Sequence, residues 1–163
     1  MKPGLLLVLV LAGCASTTPS TLERVGLETA KKPIPECEPG REGALTDGTV
    51  TVRPGEIVCF EIAVQGGSVV LTRLVAAATS DNTVIVKAWS EGKDTFIRLQ
   101  NPLGTFLQYK ATLLRPGAPA PEYTSTCPVL SHRFGLEHWP YEVIEFHLSQ
   151  FTSVPESSEI SCQ

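Results

Sequence analysis

The sequence predicts an all-β chain folded as a sandwich of two packed sheets. Three observations predict it. Apolar and polar residues alternate with a period of two over most of residues 49–151, as in strands with one buried face. Turn-forming groups, among them Pro54-Gly55, Gly66-Gly67 and Asn101-Pro102-Leu103-Gly104, interrupt that alternation roughly every dozen residues. The pattern of the body calls for no helix of normal length.

Thr49 to Arg53 alternates and is turned by Pro54-Gly55. Glu56 to Gln65 is the clearest strand, with Val58, Phe60, Ile62 and Val64 on one face and Ile57, Cys59, Glu61 and Ala63 on the other. Gly66-Gly67 suits a hairpin turn because glycine accepts positive φ without a steric penalty. Ser68 to Ala77 follows, then a turn at Ser80-Asp81-Asn82. Thr83 to Trp89 sets Val84, Val86 and Ala88 opposite Ile85, Lys87 and Trp89. Glu91 to Asp94 is a charged loop, and Thr95 to Gln100 sets Ile97 and Leu99 opposite Phe96 and Arg98. Pro102 cannot donate to a ladder, so the chain turns there. Thr105 to Leu114 alternates again through Leu107, Tyr109, Ala111 and Leu113. Pro116, Pro119 and Pro121 mark a connector, and the chain from Pro128 to Pro140 reads as a loop. Tyr141 to Phe151 is the last strand, with Ile144, Phe146 and Leu148 opposite Val143, Glu145 and His147.

About seven antiparallel strands of this spacing point to an immunoglobulin-like β-sandwich; a small β-barrel is the alternative. The expected core is Val58, Phe60, Ile62, Leu71, Val84, Val86, Ile97, Leu99, Leu107, Tyr109, Ile144 and Phe146.

The N-terminus follows a different plan. Lys2 precedes a short apolar run, Leu5 to Leu11, too short to span a bilayer, and small residues then lead to Cys14. Leu11-Ala12-Gly13-Cys14 resembles the lipobox of bacterial lipoproteins. The resemblance implies that the Cys14 thiol receives a diacylglycerol, that residues 1–13 are removed as a signal peptide and that the freed amine is acylated. Each buried CH₂ contributes about 0.8 kcal/mol, so several long chains on one residue hold a protein on a membrane where one short chain does not. Ala15 follows the cysteine. In such lipoproteins aspartate there marks inner-membrane retention, so the resemblance implies the outer membrane, with the body facing the periplasm. Residues 14–36, small, polar and aperiodic at their start, read as a flexible tether, and 37–163 as the folded domain.

Removing residues 1–13 leaves about 150 residues, enough for one domain with a real core. The formal charge is −4, without a basic cluster, which argues against a nucleic-acid partner. With Cys14 assigned to lipid, Cys37, Cys59, Cys127 and Cys162 remain, an even number suited to disulfides in an oxidising compartment. Of the three connectivities, the sequence-local one, Cys37–Cys59 with Cys127–Cys162, is favoured. No C-x-x-C spacing suggests zinc instead.

All three histidines, His132, His138 and His147, lie in the last quarter of the chain among Glu137, Glu142 and Glu145. That grouping makes them candidate copper or zinc ligands. Against this, Glu145 and His147 are expected to share the solvent face of the last strand, and no H-x-H, H-x-x-x-H or Met-rich motif supports a metal. Ser131-His132 and Ser80-Asp81 lack the G-x-S-x-G setting of a nucleophile, and Glu56/Glu61 and Glu142/Glu145 sit where surface carboxylates ordinarily do. No catalytic residue and no cofactor are therefore assigned. Trp139 and Tyr141 flank Pro140 at a loop–strand junction. They are candidate recognition residues, with Trp139 as a cap on the sandwich core as the competing reading. The expectation is a non-enzymatic, lipid-anchored envelope module that binds another envelope protein or a cell-wall component; a periplasmic metal-binding protein is the alternative.

Overall fold

A computed structural model describes Cys37 and residues 44–78 and 80–163, all within the unit Pro33–Gln163. The expected signal peptide, the expected tether and Cys14 lie outside the described residues. Ten antiparallel strands and no helix are present among them. These are β1 (Leu45–Thr46), β2 (Thr49–Val52), β3 (Ile57–Gln65), β4 (Ser68–Leu74), β5 (Thr83–Glu91), β6 (Asp94–Gln100), β7 (Phe106–Leu114), β8 (Glu122–Thr124), β9 (Phe134–Trp139) and β10 (Glu145–Val154).

Pairing runs β1-β2-β10-β4-β3-β5-β6-β9, with β7 on β10 and β8 on β7. The path does not close on itself, so the barrel alternative is set aside. The sheet folds over into two layers. One is β4-β3-β5-β6-β9 and the other is β1-β2-β10-β7-β8. They join where β10 slips register between Ser149 and Thr152 and reaches β4 through Thr152 and Ser68. Gln150, with φ of 51°, supplies the irregular residue. The slip turns Phe151 inward, where its ring meets Phe60 of β3 at 5.5 Å and Tyr109 of β7 at 5.8 Å.

The turns follow from local chemistry. Gly66 and Gly67 both have positive φ and join β3 to β4 in a two-residue hairpin, with Gln65 paired to Ser68. Asp47-Gly48 does the same between β1 and β2. The inward residues of the strands, including Val58, Phe60, Val84, Val86, Ile97, Leu99, Leu107 and Phe146, form one core. Both disulfides join the expected partners, Cys37 to Cys59 and Cys127 to Cys162. The second fastens the C-terminus, where Thr126 and Gln163 exchange backbone hydrogen bonds in both directions.

The expected elements and core need correction at several positions. Residues 134–139 form a strand, not a loop, and short β1 and β8 add to the count. β10 begins at Glu145, so Ile144 precedes it, is exposed, and leaves its expected core place to Val143. Leu71 packs against the core from a partly buried position.

Candidate functional site

Among the described residues, exposed apolar side chains gather on the outer face of β9, a strand paired only with β6. Phe134 and Leu136 are 56% and 55% exposed. The register aligns them with β6 and β5. Trp89, Phe96 and His138 make one row; Lys87, Arg98 and Leu136 the next; Ile85, Gln100 and Phe134 the third. Directly opposite side chains on neighbouring strands are close enough to pack.

The first row is a ladder of rings. Trp89 stacks on Phe96 at 5.2 Å and Phe96 on the His138 imidazole at 4.7 Å. Carboxylates hold the ends: the Trp89 indole N–H donates to Glu91 Oε1, and His138 Nε2 lies 3.1 Å from Asp94 Oδ1. Lys87 Nζ is 5.6 Å from the Trp89 ring, and the Arg98 guanidinium lies 4.1 Å over Phe134. Trp89 and His138 thus flank the Phe96 ring, and Arg98 covers one face of Phe134, whose other side stays exposed. No carboxylate pairs with Lys87 or Arg98 among the described residues.

The backbone of β9 is the second feature of this site. The Asn101 N–H donates to the Arg133 carbonyl, which identifies Asn101 and Arg133 as a hydrogen-bonded pair of the antiparallel ladder. Bonding alternates along such a ladder. The odd-numbered residues of β9 therefore point their N–H and C=O groups at β6. Phe134, Leu136 and His138 point theirs outward along the free edge. Open backbone and exposed side chains belong to the same three residues, two of which, Phe134 and Leu136, are apolar.

The inner side of β9 is tied down. The Cys127 N–H donates to Glu137 Oε1, and Gly135 lies so close to Val129 that an added Cβ would stand 2.8 Å from Val129 Cγ2. Trp139 is 6% exposed, tilts against Phe146 at 4.8 Å and donates its indole N–H to Thr124 Oγ1. It caps the core and presents no recognition surface, so that expected role is corrected. Tyr141 remains 38% exposed, with Arg115 beside its ring at 5.5 Å. Arg115 is itself held by both Glu122 carboxylate oxygens.

The three histidines are not brought together. His138 belongs to the outer face of the β6–β9 pair. His147 lies on β10, in the other layer, facing outward between Thr51 and Thr112. As expected, it shares its face with Glu145, whose carboxylate takes a hydrogen bond from Arg53 Nε. His147 Nε2 is 3.1 Å from Glu145 Oε1 but makes no hydrogen bond, because the angles do not suit one. His132, with φ of 52°, lies in the turn before β9 and lines an open hollow of about 760 Å³ with Leu130, Arg133, Glu156 and Ile160. Among the described residues no three His, Cys, Asp or Glu side chains converge as a metal site would require.

Glu56 and Glu61, also considered from the sequence, have structural partners. Glu61 takes two hydrogen bonds from Arg73, which hold its carboxyl below the usual range. Glu56 accepts from the Arg53 backbone N–H. Ser80 shares a hydrogen bond with Thr83 within the turn. No hydrogen bond links Ser131 to His132 among the described residues.

These features define a class: an all-β, disulfide-stabilised module with an open apolar edge. Comparison with protein-family models, curated proteins and solved structures finds no match to the chain.

Proposed function

We propose that the protein is a lipid-anchored, non-enzymatic binding or structural module of the bacterial outer membrane. Cys14 carries the lipid, the tether holds the body off the bilayer, and the edge of β9 with its adjoining aromatic face engages the partner. One observation carries this reading: Phe134 and Leu136 expose their side chains on a strand whose outward backbone groups are also unpaired. A soluble fold ordinarily shields such an edge with charge, proline or a covering loop, because it invites strand addition. The outward N–H and C=O groups of the edge favour a polypeptide partner, another envelope protein, because a strand can pair with them.

Cross-linking in intact cells from a photoreactive residue placed at position 134 tests the reading. A protein adduct is expected, and Leu136→Lys should abolish it. Absence of any protein adduct would count against a binding role for this edge. The anchor is tested separately by intact mass. The expected mature chain begins at an acylated Cys14, and an unmodified Cys14 would overturn the lipid assignment.

A further inference from the structure

The edge of β9 matches its own copy. We propose that two copies of this chain pair antiparallel through β9, forming one sheet that continues across both molecules. This rests on the reading of that edge as a binding surface, and it names the occupant.

The argument begins with the backbone. Phe134, Leu136 and His138 direct their N–H and C=O groups outward, as the Asn101–Arg133 bond requires. In the antiparallel register centred on Leu136, each faces a residue of the second copy with the same outward groups. Leu136 meets Leu136, and Phe134 meets His138. The outward groups of all three residues then acquire partners. Registers shifted by two residues leave one of the three unmatched.

The side chains agree with that register. The two Leu136 side chains would meet at the centre, where both are otherwise more than half exposed. The ring row Trp89–Phe96–His138 would continue onto Phe134 of the second copy, an aromatic cross-strand pair of the kind that stabilises sheets. On the inner side Gly135 would face Glu137, so the smallest residue leaves room beside a side chain already held by the Cys127 N–H.

Charge is also complementary. β9 begins next to His132 and Arg133, and it ends against the β5–β6 turn, which carries Glu91 and Asp94 with Lys93 between them. Antiparallel pairing brings the basic start of each strand to the net acidic end of the other. The cations of the face do not collide. The Arg98 guanidinium lies over Phe134, and the two Phe134 residues would stand four residues apart along the paired strands, roughly 14 Å. That exceeds the screening length of about 8 Å at physiological salt. Anchoring on one membrane confines the copies and raises their effective concentration, which helps a small edge contact.

Full-length Leu136→Cys, expressed in its membrane and exposed to mild oxidant, tests the register. The two-fold axis passes through residue 136, and directly opposed residues of a sheet approach closely enough for a disulfide. A covalent dimer is expected, at least about tenfold above that of Lys110→Cys, which lies on the outer face of the other layer. Equal cross-linking at both positions, or none at 136, would overturn the proposal. The photoreactive residue at position 134 separates this failure from failure of the wider reading. Its adduct should have the mass of two copies of this chain. An adduct with a different protein alone overturns self-pairing and leaves the edge as a binding surface; no adduct overturns both.

Discussion

Trp139, the last residue of edge strand β9, and Phe146, near the start of β10, pack their rings at 4.8 Å across the two layers of the sandwich. The indole N–H reaches Thr124 Oγ1 of β8 at 2.8 Å. One side chain thus fastens β9 and β8 to the core at the end where the chain turns through Pro140.

Replacing it should damage stability and not merely surface recognition. Trp139→Ala removes a large buried ring and should cost about 3–5 kcal/mol. Trp139→Phe keeps most of the apolar contact but loses the hydrogen bond to Thr124, and should cost less. Denaturant titration of both variants checks the order. An unchanged midpoint for Trp139→Ala would contradict the packing.

The same strand shows what the sequence could and could not reveal. β3 was legible because Val58, Phe60 and Ile62 alternate cleanly and face the core. The disulfide partners followed sequence locality, and the solvent face shared by Glu145 and His147 followed from a two-residue spacing. β9 was hidden because its pattern is inverted. Its outward residues include Phe134 and Leu136, while its inward ones are Gly135, Glu137 and Trp139. The strand lies against the 126–129 segment, where Val129 fills the space a larger inward side chain would need. Apolar residues outside and small or charged ones inside resemble a loop when only the sequence is read. β1 carried a usable signal, the Asp47-Gly48 pair of a tight hairpin turn. The candidate edge depends on which strand β9 lacks as a neighbour, and local alternation contains no such information.

Gly135 gives the second prediction. A Cβ there would stand 2.8 Å from Val129 Cγ2, closer than packed side chains tolerate. Val129 is buried and also bonds through its backbone to Leu107 in both directions, so it has little freedom to yield. Gly135→Ala should therefore destabilise by about 1–3 kcal/mol through overpacking. Coupling to Val129→Ala checks the cause: the smaller residue should recover most of the loss in a double-mutant cycle.

Asn101 organises the turn between β6 and β7. It is buried, its Nδ2 donates to the carbonyls of Thr105, Val129 and Leu130, and its Oδ1 accepts from the Leu103 N–H. Asn101→Asp keeps the shape and the acceptor but replaces the donor with oxygen facing three carbonyls. A cost of about 2–3 kcal/mol is expected. Amide exchange should quicken in residues 101–107 and 129–133, because both segments are held by this side chain. Loss of protection elsewhere with these segments unchanged would contradict the assignment.

The two disulfides should act on different parts of the fold. Each closes a loop, of sequence separation 22 for Cys37–Cys59 and 35 for Cys127–Cys162. The chain-entropy argument gives about 3–4 kcal/mol for either. Replacing Cys127 and Cys162 by Ser should also release the tail paired at Thr126–Gln163, speeding exchange of those two amides before global unfolding. Replacing Cys37 and Cys59 should leave that pairing in place. Exchange measured on both double variants distinguishes the two effects.

Tyr109 is a buried phenol that links the core to alkaline pH. Burial raises the pKa of its phenol well above the ordinary tyrosine value, and the Glu137 carboxylate adds to the shift. Below about pH 10 the phenol is protonated in both the folded and unfolded chain, so it contributes no pH dependence. Above that, the unfolded chain releases the proton while the folded chain keeps it. The folded state then binds more protons, and stability falls as pH rises, by up to about 1.4 kcal/mol per pH unit from this group. Tyr109→Phe removes the titration but keeps the ring that stacks with Phe151 at 5.8 Å. Unfolding free energies compared between pH 9 and 11 should decline less steeply in Tyr109→Phe than in the parent chain. Parallel curves for the parent and Tyr109→Phe would show that the phenol does not link ionisation to folding.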